Sequence, residues 1–99
     1  MDNTQTVAEL KRLVREFRDA RNWSKLDTPR SLAISIALEA AELLEHYKWD
    51  KQPDTKDKVA DELADVIIYC LVFSEALQID VSQALTRKLQ KNKTKYPVT

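Results

Sequence analysis

Four carboxylates stand out by their spacing. Glu39-Ala-Ala-Glu42 is followed by nineteen residues and then by Glu62-Leu-Ala-Asp65, each pair set among apolar residues. Residues three apart on a helix share a face, with Cβ atoms roughly 5–6 Å apart. An anionic side chain on an apolar helix is costly unless a cation neutralises it. Two antiparallel helices carrying one pair each would hold a divalent cation between them, and ligands that are all oxygen select Mg²⁺ or Mn²⁺ over zinc. Such an ion neutralises phosphate charge, acts as a Lewis acid and generates a hydroxide nucleophile. Glu39, Glu42, Glu62 and Asp65 are therefore the expected metal ligands and catalytic groups. One pair alone would read as a solvated helix face; two pairs within apolar helices favour the metal site, with a solvated face as the alternative. Glu45 continues the spacing, either as a further ligand or base or as an ion-pair partner of Lys48. His46, the single histidine, is expected at the surface or core edge, because a carboxylate site selects hard cations. A di-iron centre is excluded: it needs Glu-x-x-His on two helices, and here Glu42 and Asp65 stand where histidines would be required.

The elements that must position these acids are helical. The chain has 99 residues, enough for one domain spanning 1–99, and no glycine. An average composition would supply about seven glycines. Their absence excludes a P-loop, a Gly-rich dinucleotide turn and an Asn-Gly hairpin, and the Ala, Leu, Glu and Lys content favours an all-α protein. The 3.6-residue period predicts a first helix over about 4–21, with Val7, Leu10, Leu13, Val14 and Phe17 as its apolar stripe. Thr28-Pro29 starts a second helix that runs to about Lys48. A polar turn at 49–53 leads to a third, capped by Asp54 or Thr55 and reaching about Gln78. Asp80-Val-Ser-Gln83 has the pattern of a capping box and opens a short fourth helix that fades before Tyr96-Pro97.

The apolar residues of the second helix cover most of its circumference, leaving a narrow polar stripe of Ser35, Glu39, Glu42 and His46. On the third, Asp61, Glu62 and Asp65 share one side and Val59, Leu63, Val66, Ile67 and Cys70 the other, and the run from Val66 to Phe73 is apolar on every side. Helices apolar nearly all round are surrounded by protein, and 99 residues supply too few other helices to surround two. The expectation is a four-helix-bundle-type core completed by homo-oligomerisation.

Charge is balanced at 16 basic and 16 acidic residues, so the chain as a whole is no binder of polymeric nucleic acid. Five basic residues and no acid fall between Arg87 and Lys95, which reads either as a solvated tail or as a clamp on a phosphorylated ligand. Cys70 has no partner for an internal disulfide and is expected to be a buried structural thiol. The apolar run around it is too short for a bilayer, and the N-terminus lacks a signal-peptide pattern. A cytoplasmic protein without membrane association is expected.

Together these residues resemble the MazG-like all-α nucleoside-triphosphate pyrophosphohydrolases. The resemblance runs from about Phe17 to Val98 and rests on the two acid pairs and on Lys88-x-x-x-Asn92-x-x-Lys95-Tyr96-Pro97. It is nearest the small dCTP pyrophosphatase branch, through Arg21-Asn22-Trp23 before the second helix and Tyr47-Lys48-Trp49 after the first acid pair. The resemblance implies cleavage of a nucleoside triphosphate to a monophosphate and pyrophosphate, a house-cleaning role that favours dCTP or a related pyrimidine deoxynucleotide. It implies Mg²⁺ or Mn²⁺ on Glu39, Glu42, Glu62 and Asp65, and a homodimer or a tetramer built as a dimer of dimers, with sites formed partly between chains. It places Lys88, Asn92, Lys95 and Tyr96 on phosphates or sugar, and Trp23 and Trp49 around the base. On residue chemistry alone, both tryptophans also read as core-closing aromatics, the lysines as solvated and Asn92 as a helix C-cap. Asp27 stands where relatives of that branch often have His, which bears on base preference. The reading from a different class is a non-catalytic helical dimerisation or binding module with a structural cation site.

Overall fold

The computed structural model describes residues 1–47 and 54–98, and among these it contains four α-helices and no strand. Each helix begins at a side-chain cap. The Thr6 hydroxyl accepts from the Glu9 N–H at 3.1 Å and opens α1, Val7–Ala20. Asn22, at φ 54°, turns the chain into a 3₁₀ turn at Trp23–Leu26; Asn tolerates this left-handed conformation better than most residues. Thr28 and Ser31 then cap each other reciprocally at 2.9 and 3.0 Å, and Pro29 takes the first position of α2, Pro29–Glu45. Thr55 caps α3, Lys56–Ala76. Asp80 accepts from the Gln83 N–H at 2.8 Å and opens α4, Val81–Lys95. The second helix thus stops at Glu45 rather than near Lys48, and the fourth is a full 15-residue helix rather than a short one. The expected polar turn and Trp49 lie outside the described residues.

Packing within the chain joins α2 to α3 and α1 to α3, while α4 makes only slight contact with the other helices. His46 meets Asp54, and Glu39 shares a cavity wall with Asp65. Late α2 against early α3 is the order of an antiparallel pair.

The faces differ from the stripes read in the sequence. On α1 the inward row is Val7, Lys11, Val14 and Arg18, whereas Leu10, Leu13 and Phe17 are exposed. On α2 the inward row includes Ser35, Glu39 and His46 beside Leu32 and Leu43, and Ile34, Leu38 and Leu44 face out. The narrow polar stripe of α2 is therefore largely its inner face. Cys70 is exposed, on a row with half-exposed Leu63 and Ile67, and is not the buried thiol expected. Leu32 and Leu71 are the buried apolar side chains among the described residues, Leu32 fully so. The radius of gyration is 16.0 Å, against about 13 Å for a compact chain of about 100 residues.

Candidate active site

The antiparallel pairing of α2 and α3 brings Glu39, Glu42 and Glu62 together, with one carboxylate oxygen of each within 4.8 Å of the others. Opposed ligands of a cation with bonds of about 2.0–2.6 Å stand about 4–5 Å apart, so these three can share one ion. Glu39 Oε2 and Glu62 Oε2 are buried and, among the described residues, have no hydrogen-bond partner. A buried carboxylate oxygen without a donor is unfavourable, and a hard cation would satisfy both. The Glu39 carboxyl is held above the usual carboxylate range, first by burial, then by a hydrogen bond shared with Glu42 and by the charges of Glu42, Asp65 and Glu62. The donor set, oxygen throughout, fits Mg²⁺ or Mn²⁺.

Asp65 stands outside that three-oxygen group, one turn along α3, but its charge reaches Glu39 and it lines the same cavity. Glu45, the last residue of α2, is exposed and also outside the group. His46 lies at the core edge and reaches the acids. Its Nδ1 lies 2.7 Å from Asp54 Oδ2 and its Nε2 lies 3.7 Å from Glu62 Oε1, so the ring bridges the start of α3 to the carboxylate cluster.

Beside the acids opens a cavity of about 520 Å³ whose walls include Phe17, Arg18, Trp23, Tyr69, Glu39 and Asp65. Phe17 and Trp23 meet edge to face, ring centroids 5.6 Å apart. Trp23 is thus placed as a wall of the space next to the carboxylates. Lys88, Asn92 and Lys95 lie on α4, with Tyr96 at its end; the Tyr96 N–H donates to the Asn92 carbonyl at 2.7 Å, and the Lys95 ammonium sits 5.4 Å from the Tyr96 ring centroid. None of these four lines that cavity in the single chain.

Two members of the wall escaped sequence reasoning. Arg18 follows Phe17 and interrupts an apolar pattern, so it reads as solvated, yet it is buried at 6% exposure. Its signal was the spacing Val7, Lys11, Val14, Arg18, a helical row that becomes legible only once the apolar Leu10 and Leu13 are known to face out. Tyr69 lay in a run read as all-round core.

Residues 34–99 match the MazG-like family model, a stretch that holds both acid pairs and all of α3 and α4. The chain belongs to the MazG-like family. Among its MazG-like relatives are dCTP pyrophosphatase 1 of Mus musculus, 32% identical, and of Rattus norvegicus, 29% identical, each over 94% of this chain and 60% of the relative. The chain therefore spans about 60% of the length of the curated relatives it matches. Its structure is similar to that of a pyrophosphatase from Archaeoglobus fulgidus, with TM-score 0.84 and 42% identity, covering 92% of each chain. No helix among the described residues is long and apolar enough to cross a membrane.

Proposed function

We propose that this MazG-like chain is a Mg²⁺-dependent nucleoside-triphosphate pyrophosphohydrolase of the cytoplasmic nucleotide pool, which takes (d)NTP to (d)NMP and pyrophosphate and favours dCTP or a related pyrimidine deoxynucleotide. The observation that carries this reading is the convergence of three carboxylates, two with buried unpartnered oxygens, beside an aromatic-walled cavity. The names of the relatives and of the structural neighbour, dCTP pyrophosphatase and pyrophosphatase, support it.

In this reading Glu39, Glu42 and Glu62 hold Mg²⁺, with Asp65 completing the set from the cavity wall. The ion would supply charge neutralisation and Lewis acidity at the phosphates. Trp23 and Phe17 flank the base, where a stacked ring contributes about 1–3 kcal/mol; Trp49 is the second indole of the proposal. Hydrolysis adds water across the anhydride between the α- and β-phosphates, so one oxygen enters and pyrophosphate leaves. The carboxylate cluster orients that water and takes up its proton. Lys88, Asn92, Lys95 and Tyr96 reach the phosphates or the sugar when α4 of a second copy lies against the cavity. The exposed outer faces of α2 and α3, with Leu38, Leu44, Leu63 and Ile67, support such a homodimer or a dimer of dimers.

The test is a panel of ribo- and deoxynucleoside triphosphates incubated with the protein and Mg²⁺, both products being identified by chromatography. Monophosphate and pyrophosphate in equal amounts are expected. Diphosphate and orthophosphate, or no turnover on any nucleotide, would overturn the reading.

A further inference from the structure

Arg18 is the most buried charged side chain among the described residues and lines the cavity beside the carboxylates. A guanidinium carries five N–H donors in a rigid fork. Among the described residues it has one hydrogen-bond acceptor, Asp27, which Nη2 reaches, and its Cζ lies 5.6 Å from the centroid of the Tyr69 ring. Its charge is therefore matched and its plane is set, while most of its donors are unspent. None of these donors is both fully buried and unpartnered, so they remain open to the cavities that Arg18 lines, and a ligand with acceptors can take them up there.

The shape of the cavity says which acceptors. Phe17 and Trp23 provide aromatic surface for a flat ring. The phosphates belong with the cation beside Glu39. Because Asp27 already balances Arg18, the remaining donors suit an uncharged pair of acceptors better than a phosphate. Cytosine presents O2 and N3 side by side, both acceptors, whereas uracil and thymine interrupt the same edge with an N3–H donor. Resting on the nucleotide reading above, we propose that Arg18, fixed by Asp27 and Tyr69, is the residue that reads the base, accepting cytosine and rejecting uracil and thymine.

The experiment measures kcat/KM for dCTP, dUTP and dTTP, with Mg²⁺ present, for the wild type and for Arg18→Lys. The lysine keeps a cation opposite Asp27 but loses the fork. Loss of a bidentate base contact predicts that the preference for dCTP over dUTP falls about 5- to 150-fold, most of it on the dCTP side. In the wild type, a dCTP analogue with C–H in place of N3 should lose a comparable factor, an arm that needs no variant to fold. Quenching of tryptophan fluorescence by dCMP and dUMP reads the same preference without turnover. An unchanged preference in a cooperatively melting Arg18→Lys, an equal loss on all three substrates, or full activity on the N3-replaced analogue would overturn the assignment. Each of those results leaves hydrolysis by the wild type standing, whereas a wild type that hydrolyses no nucleotide defeats the proposed function itself and this inference with it.

Discussion

Replacing Leu38 by Glu separates a chain that stands alone from one that is completed by a copy of itself. The described helices leave Leu38 at 60% exposure on the outer face of α2, with Ile34 a turn before it. The chain exposes 8428 Å². A compact monomer of 11.4 kDa exposes about 5,800 Å² by the scaling of folded single chains. The excess, about 2,600 Å² per protomer, is of the size that obligate interfaces cover. Full burial of a leucine side chain contributes about 1.5–3 kcal/mol. The part of Leu38 left for a partner is then worth about 1–2 kcal/mol per protomer and about 2–4 kcal/mol in a symmetric dimer. Leu38→Glu should accordingly raise the dissociation constant at least 30- to 700-fold, by about a factor of ten per 1.4 kcal/mol, and more where the new charge is desolvated. In a free-standing monomer the same change lies at the surface and should alter stability by no more than about 0.5 kcal/mol. Sedimentation equilibrium over a micromolar dilution series, with thermal melts at each concentration, decides between them. A well-folded wild-type monomer at micromolar concentration, or an assembly that Leu38→Glu leaves equally tight, would refute the reasoning.

Glu39 supplies a pH prediction. Its carboxyl is held above the usual range by burial and by its neighbours, so the folded state keeps that proton longer than the unfolded chain does; the associated stability is full at low pH and is lost as pH rises through the raised value. Without metal, the melting temperature of Glu39→Gln should exceed wild type at pH 7 and fall less on raising the pH, while turnover and stabilisation by Mg²⁺ disappear; superimposable pH profiles would contradict this. Thr28→Ala removes the acceptor for the Ser31 N–H and should cost about 0.5–2 kcal/mol, read as a melting point lower by about 4–8 °C per kcal/mol, with Thr28→Ser restoring most of it. Trp23→Ala should mainly raise KM, since stacking is felt alike in ground and transition states, and Lys95→Ala should mainly lower kcat through lost stabilisation of the departing pyrophosphate; the reverse allocation in steady-state kinetics would mean these residues have other roles.

Local signals were legible because they depend on near neighbours. Thr28-Pro29, Thr55 and Asp80 mark helix starts through side chains that reach backbone N–H groups three residues away. The acid pairs share a helix face by the same short-range geometry, and three of the four acids do meet. Helix direction was harder. Leu10, Leu13, Phe17 and Leu38 were read as core, yet they face out, and the polar row through Glu39 and His46 faces in.

Amphipathicity reports that an apolar face will be covered, not by what. In this chain three of the carboxylates converge between α2 and α3, and apolar rows with Ile34, Leu38 and Leu44 face outward. The amino-acid sequence by itself determined the all-α class, the helix starts and the placing of the acids in pairs on single helix faces, because propensity, capping and i, i+3 spacing are local. Tertiary structure decided that Asp65 stands apart from the three-oxygen group, that His46 bridges Asp54 and Glu62, and that Arg18 is buried against Asp27 and Tyr69. Those relations join residues on different helices, and only the packing of α1, α2 and α3 sets the distances between them.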